Sequence, residues 1–268
     1  AVTGSFTIPL MKREGYAPHQ AGAIEAVVST GGQIMPPVMG AAAFIMAEIV
    51  GTPYVNIMKA GLIPALLFFV SVLFVVHLQA VKSDLAIQER VPESGQSPAA
   101  TVVAGLPFVI PFFTLIGMMI VGYSPVKASF FAIVMLVGLH LVTIRRVGRD
   151  LWDMIARAMA NGVRNAVPIS IACAAAGSIS AVLSATGLGS KLSSFIISMS
   201  GGVPLIALIL TMITAIILGM GLPTTAAYLI LATVVAPALA DMGVPLLTAH
   251  MFVFFFGCVS PIPPPVAL

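Results

Sequence analysis

Residues 29–44 read STGGQIMPPVMGAAAF, with Gly31-Gly32 and Pro36-Pro37 set inside an apolar run. Glycine weakens a helix interior, and proline lacks the N–H and clashes with the turn before it. A simple membrane-crossing helix has little use for both breakers so close together, so something here opens the backbone. The surroundings say what kind of protein needs that. The chain of 268 residues is 59% hydrophobic and 8% charged, with a mean hydropathy of +1.11. A crossing takes about 20 apolar residues, and residues 57–79, 101–122, 126–144, 165–186, 203–219 and 224–241 qualify or nearly so. The pattern predicts an all-α polytopic membrane protein, because a β-barrel would alternate in short segments. Net charge +3 and a pI near 9.1 fit basic loops and give no reason to invoke nucleic acid.

Polar composition divides the chain into residues 1–79, a solvated loop at 80–100, two spans in 101–147, a helix at 148–164, and residues 165–268. In 148–164, Leu151, Ile155, Met159 and Val163 share one helical face, as in an amphipathic helix lying in the interface. Lys12-Arg13 and Arg145-Arg146-Arg149 are separated by three spans, so the positive-inside rule leaves orientation open. The chain starts AVTGSFTIPL without an initiator Met and stops at PIPPPVAL within an apolar segment, as a fragment of a longer membrane protein would. Cys173 and Cys258 have no metal or disulfide spacing and read as packing residues.

The end of the chain repeats its beginning. Ile34-Met-Pro36-Pro37-Val38 matches Ile262-Pro-Pro264-Pro265-Val266, 228 residues on. Each copy runs from a proline (Pro18, Pro245) through a short apolar stretch to a small or polar cluster and then paired prolines. About three turns of helix are too short to cross. The pattern predicts two re-entrant helical hairpins with non-helical tips at 29–37 and 260–265, in an inverted-repeat secondary transporter. Unwound backbone at membrane depth is tolerated where it is buried or lines a site. The two tip glycines are expected to turn the chain and free carbonyls. Gly219-Met-Gly221-Leu-Pro223-Thr224-Thr225 forms a third break, suited to an ion-binding turn or to a tight helix–helix turn.

TIPLMKREGYAPHQAGAIEAVVSTGGQIMPPVMGAAAFIMAEIVGTPY, GMGLPTTAAYLILATVVAPAL and the closing PPVAL together resemble the large membrane subunit of tripartite ATP-independent periplasmic (TRAP) transporters. The similarity is greatest to fused permeases that work with TAXI-type binding proteins. It implies an elevator-type carrier in the inner membrane of a bacterium or archaeon, taking up organic anions, commonly carboxylates, with Na⁺ as the coupling ion. The implied partners are a periplasmic substrate-binding protein and a small membrane subunit or its fused equivalent. Carried onto this chain, the implied sodium ligands are Ser29, Thr30, Gly31, Gly32, Gly219, Gly221, Thr224 and Ser260. Gln33, Pro36, Thr225 and Pro264 fall on the substrate side. Pro263 stands where the family's second tip usually has threonine, which removes a hydroxyl.

Glu25 sits at membrane depth, as a functional carboxylate or as the partner of a nearby donor. Glu48 reads as solvated near the surface, and His19 and His250 as helix caps near the hairpin starts. No Ser/His/Asp set, carboxylate pair or His/Cys cluster supports catalysis. A channel with re-entrant loops and an intramembrane enzyme are the competing classes.

Overall fold

The structure, a computed structural model, describes residues 4–82, 98–144 and 149–263. Its elements are α1 (Gly4–Arg13), α2 (Pro18–Gly31), α3 (Ala41–Val50), α4 (Tyr54–Lys82), α5 (Pro98–Ile120), α6 (Pro125–Ile144), α7 (Arg149–Ala185), α8 (Leu188–Ser200), α9 (Pro204–Gly219), α10 (Thr224–Val234), α11 (Ala236–Asp241) and α12 (Leu246–Val259). Among the described residues every regular element is a helix, as an all-α polytopic membrane protein requires. Tyr54–Lys82 and Trp152–Ala185 are long and apolar enough to cross a membrane, as is the stretch Thr224–Asp241 when α10 and α11 are taken together. The chain divides into two compact units. One holds α1–α3, most of α4, α7 from Ile169 onward and α8–α12. The other holds α5, α6 and α7 up to Pro168. In the second unit α5 and α6 form a helical hairpin turned by Gly122, and the Lys127 ammonium lies 4.5 Å from the Tyr123 ring centre.

The repeat in the first unit is longer than the paired prolines that announce it. α2 and α12 are each 14 residues long, and both their ends lie 228 positions apart. Upstream, Gly15 (φ 97) matches Gly243 (φ 87), a left-handed conformation that glycine adopts at no steric cost. Gly15 N–H donates to Lys12 O and Tyr16 N–H to Met11 O. Gly243 N–H donates to Ala240 O and Val244 N–H to Leu239 O. Each is a Schellman ending that caps the carbonyls of α1 or α11. Pro9 and Pro237 also correspond. Matching Pro18 to Pro245 puts the copies one residue out of register, because the equivalent turn residues are the glycines. Fourteen residues rise about 21 Å, short of an apolar core about 30 Å thick.

The first tip begins later than the residue types imply. Ser29–Gly31 complete α2, and the irregular backbone runs from Gly32 to Gly40. Gly32 is right-handed (φ −62), so the glycine pair does not supply the turn. The left-handed residue is Met39 (φ 49), held by Gly40 N–H donating to Gln33 O at 2.8 Å. Gly31 serves instead as a contact point with α4. A Cβ there would stand 2.6 Å from Phe69 Cζ and 2.9 Å from Phe68 Cε1. Farther along α4, a Cβ at Gly61 would meet Met39 Cε at 3.1 Å and Met251 Cε at 3.2 Å. One long helix thus braces the first tip and the first arm of the second copy.

Three further departures concern boundaries. α7 runs unbroken through residues 164 and 165, since nothing in that segment stops a helix, and Pro168 lies within it. Residues 224–241 are two helices divided at Val235, because Pro237 removes an N–H and clashes with the preceding turn. Composition alone does not separate α8, whose buried face is lined by Ser193, Ile196 and Ser200. Most of the loop at 80–100, and Arg145-Arg146, lie outside the described residues.

The two tip glycines should behave differently. Gly31→Ala forces a methyl into the Phe68 and Phe69 rings and is expected to cost about 1–3 kcal/mol, the usual penalty of overpacking. Gly32→Ala meets only the Ser29 carbonyl at 3.3 Å and should be nearly neutral. Thermal unfolding of the purified protein in detergent measures both, and Phe69→Leu should partly rescue Gly31→Ala.

Candidate functional site

On the first tip the hydroxyls are already directed. Ser29 Oγ donates to Glu25 Oε1 at 3.1 Å, and Thr7 Oγ1 on α1 donates to Glu25 Oε2 at 2.5 Å. Thr30 Oγ1 turns back to Ala26 O at 3.0 Å. Glu25 therefore joins α1 to α2. The carbonyls expected to be free carry turn bonds: Ser29 O accepts from Gly32 N–H, Thr30 O from Gln33 N–H, and Gly31 O from both Ile34 and Met35 N–H. The unmet acceptor is a side chain. Gln33 Oε1 is buried without a hydrogen-bond partner among the described residues, 3.7 Å from the Cβ position of Gly40, the residue that caps α3. Pro36 follows in the half-buried turn.

The second cluster joins residues 41 positions apart. Gly219 ends α9, and a Cβ there would fall 2.3 Å from Ser260 Oγ and 2.8 Å from Ser260 Cβ. Only glycine lets α9 come this near the end of α12. Ser260 is fully buried and donates from Oγ to Gly257 O at 2.8 Å. Gly221 (φ 76) turns the chain, and Thr224 and Thr225 open α10, with Thr225 buried. The carbonyl end of α9 and the N–H end of α10 thus meet at one break, each with groups that have no intrahelical partner. α3 packs against both α10 and α12. No described contact joins Ser29–Gly32 to Gly219 or Ser260. Pro264 lies outside the described residues; Pro263, just before it, sits half-buried in a bend.

Two buried polar groups escape a residue-by-residue reading. His250 is not a cap: it lies inside α12, buried, with Nδ1 2.9 Å from the hydroxyl of buried Tyr228 on α10. Its partner is 22 positions away, so local sequence carried no signal of it. Thr211 is fully buried with Oγ1 unpartnered among the described residues. Its signal was legible, since Ala207, Thr211, Ala215 and Gly219 form a four-residue-spaced stripe of small side chains on α9. His19, at the start of α2, is exposed, and Gln20 Oε1 accepts the Ala17 N–H there instead. Glu48 is exposed.

The family model described as "Tripartite ATP-independent periplasmic transporter, DctM component" matches residues 1–268. The chain belongs to this family. It is a membrane subunit of a TRAP-type transporter. A search among curated proteins returned no match. In this DctM component the break at Gly219–Thr225 and the end of α12 are parts of one structural joint, because the Ser260 side chain fills the space that a Cβ at position 219 would take. Gly219→Ala is expected to cost about 1–3 kcal/mol of stability. Ser260→Gly in the same chain should restore most of it, measured by thermal unfolding of the purified single and double variants. Equal destabilisation in both backgrounds would mean the contact is not the cause.

Proposed function

We propose that this DctM component is the carrier of a sodium-coupled transporter for organic anions, chiefly carboxylates. A periplasmic binding protein of the TAXI type delivers the solute, and a small membrane subunit or a fused equivalent completes the complex. The membrane is the inner membrane of a bacterium or archaeon. α2–α3 and α12 with its continuation act as re-entrant hairpins, and the body that carries them moves as an elevator between the two sides. Sodium is a transported ion here, taken by oxygen donors around Ser29, Thr30, Gly31 and Gly32 and around Gly219, Gly221, Thr224 and Ser260. Gln33, Pro36, Thr225 and Pro264 face the solute.

The observation that supports this best is the orphan Gln33 Oε1 at the foot of α3. A buried acceptor left unpaired costs about 1–3 kcal/mol, and the partner it lacks is a donor or a cation, such as a solute hydroxyl or bound Na⁺, since a carboxylate oxygen only accepts. Gln33 stands at a break within a repeated element, where transporter sites are built. The starts of α3 and α10 offer N–H groups and positive dipole ends to a carboxylate. Charge supports sodium coupling as well. Among residues 16–55 and 192–268 there is no Lys or Arg. A buried anion without a counter-charge costs several kcal/mol even after relaxation, and bound Na⁺ provides that charge.

Solute affinity should therefore fall steeply as sodium is replaced by choline, and the solute should tighten sodium binding by the same factor. Calorimetry on the intact transporter, with uptake into proteoliposomes in the presence of its binding protein, measures both. Uptake indifferent to sodium would overturn the coupling, and passive flux without the binding protein would favour a channel. Gln33→Met should leave the unfolding temperature unchanged or raised while sodium-stimulated uptake is lost. Uptake that survives Gln33→Met would remove Gln33 from the site.

A further inference from the structure

The two copies of the repeat differ most at one internal pair. At the positions equivalent to Thr7 and Glu25 the second copy has Val235 and Val253, both fully buried. The second copy thus buries apolar side chains at both matching positions, where the first has a Thr–Glu hydrogen bond. In apolar surroundings a valine pair is also the cheaper choice, since a carboxylate loses its hydration there. The first copy nevertheless keeps a carboxylate one turn before the end of α2, with a hydroxyl on each oxygen: Thr7 Oγ1 on Oε2 and Ser29 Oγ on Oε1. Ser29 corresponds to Gly257 in the second copy, so the hydroxyl that Glu25 holds is missing there as well.

The direction of that bond matters. An ionised carboxylate only accepts, so the Ser29 hydroxyl must give its proton to Glu25. A serine in this setting otherwise turns back to the carbonyl four residues earlier, as Thr30 does to Ala26 O. Glu25 outcompetes that carbonyl and fixes the Ser29 oxygen with its lone pairs away from the carboxylate. The same turn carries the negative end of the α2 dipole. A fixed hydroxyl oxygen, a helix C-terminus and a carboxylate together make a corner that attracts a hard monovalent cation.

We infer that Glu25 is a positioning residue for sodium at the first tip, acting through Ser29 rather than as a ligand itself. The inference rests on the sodium-coupled reading above. Glu25→Gln keeps the shape but removes the charge, and its amide can donate to Ser29 Oγ as well as accept from it, so the serine lone pairs are no longer held away from residue 25. It should weaken sodium binding roughly tenfold, the scale of one charge acting across a partly solvated contact. Titration calorimetry of sodium chloride against choline chloride, on the intact transporter, reads this directly. Ser29→Ala should weaken binding similarly, and the double variant should be no worse than the weaker single variant, since both changes remove one interaction. Thr7→Val breaks the α1 contact and spares the Ser29 bond, so it should lower thermal stability and leave sodium affinity unchanged. Sodium binding by Glu25→Gln equal to that of the unaltered protein, additive losses in the double variant, or an equal loss in Thr7→Val would each overturn the positioning role. Absence of sodium binding by the unaltered protein would instead overturn the coupling reading on which the role depends.

Discussion

In hydrocarbon every backbone N–H and C=O needs a partner within the protein, so a helix that stops there leaves groups to be met by other means. The first unit is organised around meeting them. Gly15 and Gly243 fold back onto the last carbonyls of α1 and α11. Gly31 O takes two turn donors, Gly40 N–H closes the tip on Gln33 O, and Ser260 Oγ covers Gly257 O. Because such endings are compact, neighbouring helices can approach them, and the points of approach are glycines. Gly31 lies under the Phe68 and Phe69 rings, Gly61 under two methionines, and Gly219 against Ser260.

How much of this is legible from the chain depends on how far each determinant reaches. The long spans and the helix breaks are local properties: apolar length sets the first, and Pro or Gly punctuation the second. The repeat is also legible, although its register is set by Gly15 and Gly243 and not by the more visible prolines. What Gly31 and Gly32 each do is not legible, because they are identical in sequence and differ only in what stands opposite. His250 reads as a cap from its neighbours and becomes a buried partner only when Tyr228 arrives from another helix. α8 is hidden for a related reason: two of its three buried positions are serines, which blur the apolar period. Of the candidate site, residue types and breaks are readable, whereas the Gly219–Ser260 joint and the orphan Gln33 oxygen come from packing.

The repeat also shows what symmetry leaves out. Backbone geometry agrees closely between the copies: Gly32 (φ −62, ψ −23) and Ser260 (φ −55, ψ −29) follow α2 and α12 in the same conformation. Chemistry does not agree. The first copy holds Glu25 with two hydroxyls, and the second holds valines at the matching pair and a histidine–tyrosine bond elsewhere. A shared scaffold with unequal polar content lets two tips differ in what they attract without any change in how they fold.

The equal lengths of α2 and α12 carry an electrical consequence. In the proposed re-entrant arrangement, an arm of 14 residues entering from one surface brings its tip about 21 Å into an apolar layer about 30 Å thick. A cation held there has passed roughly two-thirds of the way through the field. Moving one charge across the full layer is worth about 2.3 kcal/mol per 100 mV, so binding at that depth would draw about 1.5 kcal/mol from the same voltage. The occupancy of such a tip is then set by membrane potential as well as by ion concentration, and short arms turn a resting voltage into affinity before any solute moves.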